Sequence, residues 1–150
     1  METCVRDRTE TSFEGFDERL YDPADPAQGL QRLGSQFLGL MRDPDVMRML
    51  GMLYGVAAMH PEVAQRYYQA GPELVISRVT AYLERVRAHG ALDIPDPRFA
   101  GEMFLGLFLG PMHTRAILGI ALPTPDDDRR LVDEAVALFL ARHHTDKRSA

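Results

Sequence analysis

Apolar residues recur along this chain with helical spacing, and the alternation of apolar and polar positions that marks β-strands is missing. Proline, often followed by acidic residues, marks where helices begin, because Pro fits the first helical turn and the helix dipole favours acids there. Asp43, Asp96 and Thr124 stand directly before such prolines and can cap free backbone amides. The pattern predicts an all-α chain with helices over residues 2–21, 26–42, 44–59, 61–70, 72–89, 97–119 and 125–143.

Two of the predicted helices are apolar on more than one side. Segment 44–59 has one charged side chain after its first turn, Arg48, and this predicts a helix that runs through the centre of the domain. Its four methionines suit either a filled core or the adaptable wall of a ligand cavity. Segment 97–119 has two apolar faces, and Pro111 within it is expected to kink or break the helix.

The two apolar faces of segment 97–119 predict an association between subunits. One face can pack near Leu50 and Leu53, whereas the other face has no cover left in this chain, and segment 125–143 also has a wide apolar stripe. A two-fold dimer would cover these surfaces through a four-helix bundle built from the last two helices of each subunit. Burial within one chain is the alternative. The interface candidates are Leu107, Ile117, Leu118, Leu131, Ala135, Leu138 and Phe139.

Composition and charge narrow the class of protein. A chain of 150 residues predicts one domain, and a single cysteine, Cys4, excludes an internal disulfide and favours a reducing compartment. The start of the chain is charged, unlike a signal peptide, and the charge-free run in 103–114 is too short for a membrane span, so a cytoplasmic protein is expected. The net charge of −5 is concentrated in residues 1–25, and the lack of a basic patch disfavours direct binding to nucleic acid.

Residues that could perform catalysis or hold a metal do not form a recognisable set. The five histidines lack the spacing of metal ligands, and phosphate-binding glycine loops and nucleophile motifs are absent from the sequence. Glu102 and His113 stand in an apolar segment, where each could contact a ligand or serve the structure alone. We therefore expect no enzyme, no cofactor and no metal site.

Four segments, taken in order, resemble the C-terminal domain of TetR/AcrR-type transcriptional regulators, and within them the AefR-like branch. They are RYYQAGPE (66–73), AYLERVRAHGALDIPDPRFAGEMFLGLFLG (81–110), RAILGIALP (115–123) and LVDEAVALFLAR (131–142). The resemblance implies an all-α domain that binds a ligand and dimerises through its last two long helices. Residues 26–143 would form this domain, residues 1–25 an acidic connector helix, and residues 144–150 a frayed tail.

The resemblance also implies a function, the effector-binding part of a repressor that senses a small hydrophobic or aromatic molecule. The family's helix-turn-helix has no counterpart in this chain, so no DNA-binding residue is assigned, and DNA is expected to be bound only through a helix-turn-helix that this chain does not contain. The alternative is a stand-alone small-molecule-binding protein, or a modulator that forms mixed dimers with a full-length regulator. The pocket candidates, chosen by pattern, are Phe37, Met49, Met52, Leu53, Val56, Tyr82, Met103, Phe104 and Phe108.

Overall fold

The computed structural model describes residues 21–145, and within this range the chain forms seven α-helices and one 3₁₀ turn. Residues 1–20, which hold the predicted helix over 2–21 apart from its last residue and most of the predicted connector, lie outside the described range, as do residues 146–150 of the predicted tail. The elements are α1 (Pro26–Arg42), α2 (Pro44–Val56), α3 (Pro61–Ala70), α4 (Pro72–His89), α5 (Pro97–Gly106), the 3₁₀ turn (Leu107–Leu109), α6 (Pro111–Ile117) and α7 (Pro125–His143).

Six of the helices described begin at the prolines that the sequence predicts, and in α1, α2, α5 and α7 the residue before the proline caps the helix with its side chain. The carboxylate of Asp43 accepts hydrogen bonds from the amides of Asp45 and Val46, at 2.8 and 3.1 Å. Asp96 caps α5 in the same way, and Thr124 forms a reciprocal capping box with Asp127 at the start of α7. The structure confirms these helix starts. They could be predicted because capping depends only on residues close together in the sequence.

The core lies between two pairs of helices, α1 with α7 and α4 with α5. Leu30, Leu33, Val79 and Leu83 are fully buried between them. A row of aromatic rings then connects the two pairs, with ring centroids 6.0 Å apart for Phe37 and Phe108, 5.2 Å for Phe104 and Phe108, and 5.5 Å for Phe104 and Phe139.

The predicted helix over residues 97–119 is interrupted in the structure, as Pro111 led us to expect. Helix α5 ends at Gly106, the 3₁₀ turn follows, and α6 begins at Pro111 after an extended Gly110. Proline lacks an amide hydrogen and its ring collides with the preceding turn of a helix, so the helix cannot continue through it. Helix α6 is therefore a separate element that can take its own direction.

The prediction that segment 44–59 runs through the centre is wrong. Helix α2 ends at Val56, and its buried residues are Val46, Leu50 and Leu53. Met52 is 61% exposed on its outer side. An apolar helix surface can face a cavity or another molecule as well as a core, and the sequence pattern of α2 does not distinguish these cases.

None of the helices within residues 21–145 is long and apolar enough to pass through a lipid bilayer.

Candidate functional site

An apolar cavity of about 540 Å³ opens between helices α2 and α3 and the body of the domain. Its volume is in the range of pockets that hold drug-sized molecules. The lining residues are Phe37, Leu40 and Met41 from α1; Val46, Met49, Leu50, Leu53 and Tyr54 from α2, with Ala57 just after it; Ala64, Tyr67 and Tyr68 from α3; Gly71, Pro72, Val75 and Ile76 around the start of α4; Glu102, Leu105 and Gly106 from α5; and Leu109 and His113 beyond it.

Three of the nine pocket candidates from the sequence line this cavity, namely Phe37, Met49 and Leu53. The other six lie elsewhere, for two different reasons. Tyr82, Phe104 and Phe108 are fully buried in the core, away from the cavity wall, whereas Met52, Val56 and Met103 lie on solvent-facing sides of their helices.

Most of the lining residues were not among the nine pocket candidates. Helix α3 supplies Ala64, Tyr67 and Tyr68, although it has no buried residue and its sequence looks like that of a surface helix. The signal that could have found it is the tyrosine pair, because neighbouring amphipathic rings in a polar helix suit the rim of an apolar cavity.

The polar groups of the cavity are few. Burial, and to a smaller extent the neighbouring Tyr54, raises the pKa of Tyr67 to about 12, so its hydroxyl stays protonated at neutral pH. The carboxylate of Glu102 accepts a hydrogen bond from Arg98 Nε at 3.1 Å, and the same guanidinium binds Glu73 at 2.9 Å. Glu102 is therefore partly neutralised by Arg98.

His113 on α6 is the most deeply buried polar side chain in the lining, with 5% of its surface exposed. Its Nδ1 atom has no hydrogen-bond partner among the residues that the structure describes. Burial lowers the pKa of His113, and the positive charge of Arg42 lowers it further, so the ring is neutral at pH 7. Within residues 21–145, no three His, Cys, Asp or Glu side chains come together as a metal site.

The seven interface candidates divide into three groups. Leu107, Leu118 and Leu138 are exposed, and Leu138 is exposed by 60%. Ile117 and Leu131 are partly buried against the core. Ala135 and Phe139 are buried within the chain itself, because α7 uses that side to pack on α1 and on Phe104 of α5. Part of the apolar stripe of α7 is therefore buried in the core of its own subunit, and Ala135 and Phe139 are not available on the surface.

Solved structures of TetR-family regulators share this fold. A TetR-family transcriptional regulator from Mesorhizobium loti matches with a TM-score of 0.79 at 19% identity, over 96% of this chain and 70% of that one. The flavonoid-responsive regulator FrrA matches with a TM-score of 0.73 at 22% identity, over 99% of this chain and 76% of that one. A TetR regulator from Agrobacterium tumefaciens matches with a TM-score of 0.73 at 22% identity, over 85% of this chain and 62% of that one. Comparison with curated protein sequences gives no match.

These structures establish the class, an all-α domain of the kind found in TetR-family regulators. Residues 28–145 also match the family described as the C-terminal domain of AefR-like transcriptional repressors, over most of the chain. The chain therefore belongs to the AefR-like C-terminal domains of the TetR family, as its sequence segments suggested. The family is one of regulators and not of enzymes, which confirms the expectation that this chain is not an enzyme.

Proposed function

We propose that this domain binds a small apolar or aromatic effector in the cavity beneath α2 and α3, and that binding regulates repression by the TetR-family protein to which it belongs. The observation that carries this proposal is the cavity itself, about 540 Å³ in volume and walled mainly by aliphatic and aromatic side chains. An apolar guest that enters such a cavity releases water from the apolar surfaces, and its contacts with the walls stabilise the complex.

The walls of the cavity suit a flat aromatic guest. Phe37, Tyr54, Tyr67 and Tyr68 offer ring faces and edges, and Met49 offers a flexible thioether that adapts to an aromatic shape. The related structure of FrrA is that of a flavonoid-responsive regulator, and flavonoids are molecules of this kind. A flavonoid is thus a reasonable first probe.

Two further parts of the function belong to this proposal. Effector binding would favour one conformation of the domain over another, because a ligand shifts an equilibrium by its difference in affinity for two states. The domain would act in the cytoplasm as a homodimer, with contacts through the outer sides of α5 and α7. The exposed side chains Phe99, Met103, Leu107 and Leu138 support this arrangement, since lone subunits rarely expose so many large apolar groups on adjacent helices.

Titration with flavone tests the ligand site. A ligand at 100 times its dissociation constant stabilises the folded protein by about 2.7 kcal/mol, which raises its melting temperature measurably. Ala64→Trp places a large ring in the cavity and should weaken flavone binding by roughly tenfold or more, a loss of about 1.4 kcal/mol.

Ala88→Trp is the matched control, because Ala88 is exposed on α4 and does not line the cavity. Equal weakening by both substitutions, or unchanged binding by Ala64→Trp, would contradict the assignment of the cavity as the effector site.

A further inference from the structure

One polar atom in the cavity lining is both buried and unpaired among the residues that the structure describes, and it is Nδ1 of His113. Buried polar groups in folded proteins are paired almost without exception, so an unpaired one in a cavity wall is unusual. Nδ1 is itself enclosed, and a guest in the cavity can bond to it once the imidazole turns about its Cβ–Cγ bond. The hydroxyls of Tyr54 and Tyr68 differ, since both residues are substantially exposed at the rim.

The surroundings of His113 determine which partner fits. Arg42 places a positive charge near the imidazole, and this guanidinium is itself held by Asp128, with Nη2 2.8 Å from Oδ1. A cationic ligand group would be repelled by Arg42. Asp128 binds Nε and Nη2 of Arg42, whereas Nη1 of Arg42 is buried without a partner among the described residues. A carboxylate would lose its hydration in an apolar cavity whose wall already contains the carboxylate of Glu102, and this loss is costly. A neutral group is favoured.

A neutral imidazole has one nitrogen that donates and one that accepts a hydrogen bond, and the tautomer decides which is which. A hydroxyl group can serve either nitrogen, because it both donates and accepts. A phenol therefore matches both features of the cavity. Its apolar ring can contact the walls, and its neutral hydroxyl can hydrogen-bond to the imidazole.

We propose that His113 recognises a hydroxyl group on an otherwise apolar aromatic effector, so that the cavity selects phenols over hydrocarbons of the same shape. This inference rests on the proposed function. It adds the chemical class of the effector and the residue that recognises its hydroxyl group. His113 is the specificity-determining residue, while the apolar walls supply affinity for either kind of compound.

Three compounds with the same ring system test this selectivity, namely 2-naphthol, 2-methylnaphthalene and 2-naphthoate. The full chain is titrated with each by calorimetry. We expect 2-naphthol to bind about tenfold more tightly than 2-methylnaphthalene, the effect of one hydrogen bond to a buried group, and more tightly than 2-naphthoate.

Substitutions at His113 assign the selectivity to this side chain. His113→Phe keeps a planar ring but removes the nitrogen atoms, and it should abolish the preference for 2-naphthol while leaving the affinity for 2-methylnaphthalene unchanged. That second value also shows that the cavity of the variant is intact. His113→Asn keeps a polar atom near the position of Nδ1 and should retain a preference for 2-naphthol. His89→Phe makes the same change at an exposed position on α4 outside the cavity lining, and as the control it should leave all three affinities unchanged.

The remaining outcomes overturn the inference. Equal binding of 2-naphthol and 2-methylnaphthalene to the unmodified chain would refute the inference. A preference for 2-naphthol that survives His113→Phe would also refute it. Both results would leave the proposed function standing. Tighter binding of 2-naphthoate would assign the site to anions. If none of the three compounds binds saturably, both the inference and the proposed function fail.

Discussion

Arg42 at the end of α1 and Asp128 in the first turn of α7 form a two-pronged ion pair, with Nη2 2.8 Å from Oδ1 and Nε 3.2 Å from Oδ2. Both side chains are largely buried. Removal of the carboxylate leaves a guanidinium with little access to water, which is costly. We expect Asp128→Asn to lower the free energy of unfolding by about 2 kcal/mol, as measured by urea denaturation.

Asp126→Asn is the matched control for this ion pair. Asp126 is in the same helical turn and pairs with Arg129 at 2.9 Å, but both side chains are exposed. The two substitutions remove the same charge from the same helix end, so their effects on the helix dipole are alike. A loss within about 0.5 kcal/mol is expected for Asp126→Asn. Equal losses for the two variants would contradict a special role for Arg42.

Close packing of α1 on α4 gives a second prediction, at Gly29. A methyl group at this position would overlap the hydroxyl and ring of Tyr82, which is fully buried in the core. Gly29→Ala should therefore lower the free energy of unfolding by about 2 kcal/mol through overpacking. Gly39→Ala in the same helix meets open space and should instead stabilise the protein by up to about 1 kcal/mol. Urea denaturation of both variants checks this contrast, and a stabilised Gly29→Ala would refute it.

Tyr67, which is partly buried, and Tyr82, which is fully buried, predict a loss of stability at high pH. Burial raises the pKa of both Tyr67 and Tyr82 to about 12, whereas an unfolded chain has tyrosine pKa values near 10. Between these values the unfolded state loses its phenolic protons first, so stability falls as the pH rises from about 10 to about 12. Spectrophotometric titration should show a late step near pH 12, and Tyr67→Phe should reduce its amplitude. A single step near pH 10 for all tyrosines would contradict this prediction.

The proposed dimer gives a fourth prediction. Leu138→Glu places a charge on the outer side of α7 and should convert a dimer to a monomer in size-exclusion chromatography with light scattering, because burial of an unpaired charge is unfavourable. Met59→Glu, at an equally exposed position beyond α2, is the control and should leave the dimer intact. A monomeric unmodified chain, or dissociation by both substitutions, would argue against this interface.

Helix starts and fold class could be predicted from the sequence because they depend on local chemistry. A capping aspartate such as Asp96 or a proline such as Pro111 acts on residues within one turn, so its effect can be seen in a short segment. The family was found from sequence for a related reason, since several ordered segments retain the spacing of a whole domain.

The cavity lining depends on tertiary packing, and the sequence did not reveal it. Met49 and Met52 are three residues apart in one apolar helix, yet Met49 lines the cavity and Met52 faces solvent. Which side of α2 faces inwards is decided by where α1 and α6 lie, since α2 packs against these two helices. Phe104 and Phe108 were pocket candidates, but both lie in the core of the domain. Large aromatic side chains suit a pocket wall and a core equally well, so residue type alone does not distinguish the two.

Helix α3 contributes Ala64, Tyr67 and Tyr68 to the cavity, although none of its own residues Pro61–Ala70 is buried. Little free energy is therefore needed to swing this helix outwards, whereas displacement of α5 or α7 would separate the contact between Phe104 and Phe139. We therefore expect the proposed effector to enter and leave past α3 while the aromatic row stays closed, and the backbone amides of α3 to exchange their hydrogens with water sooner than those of α4.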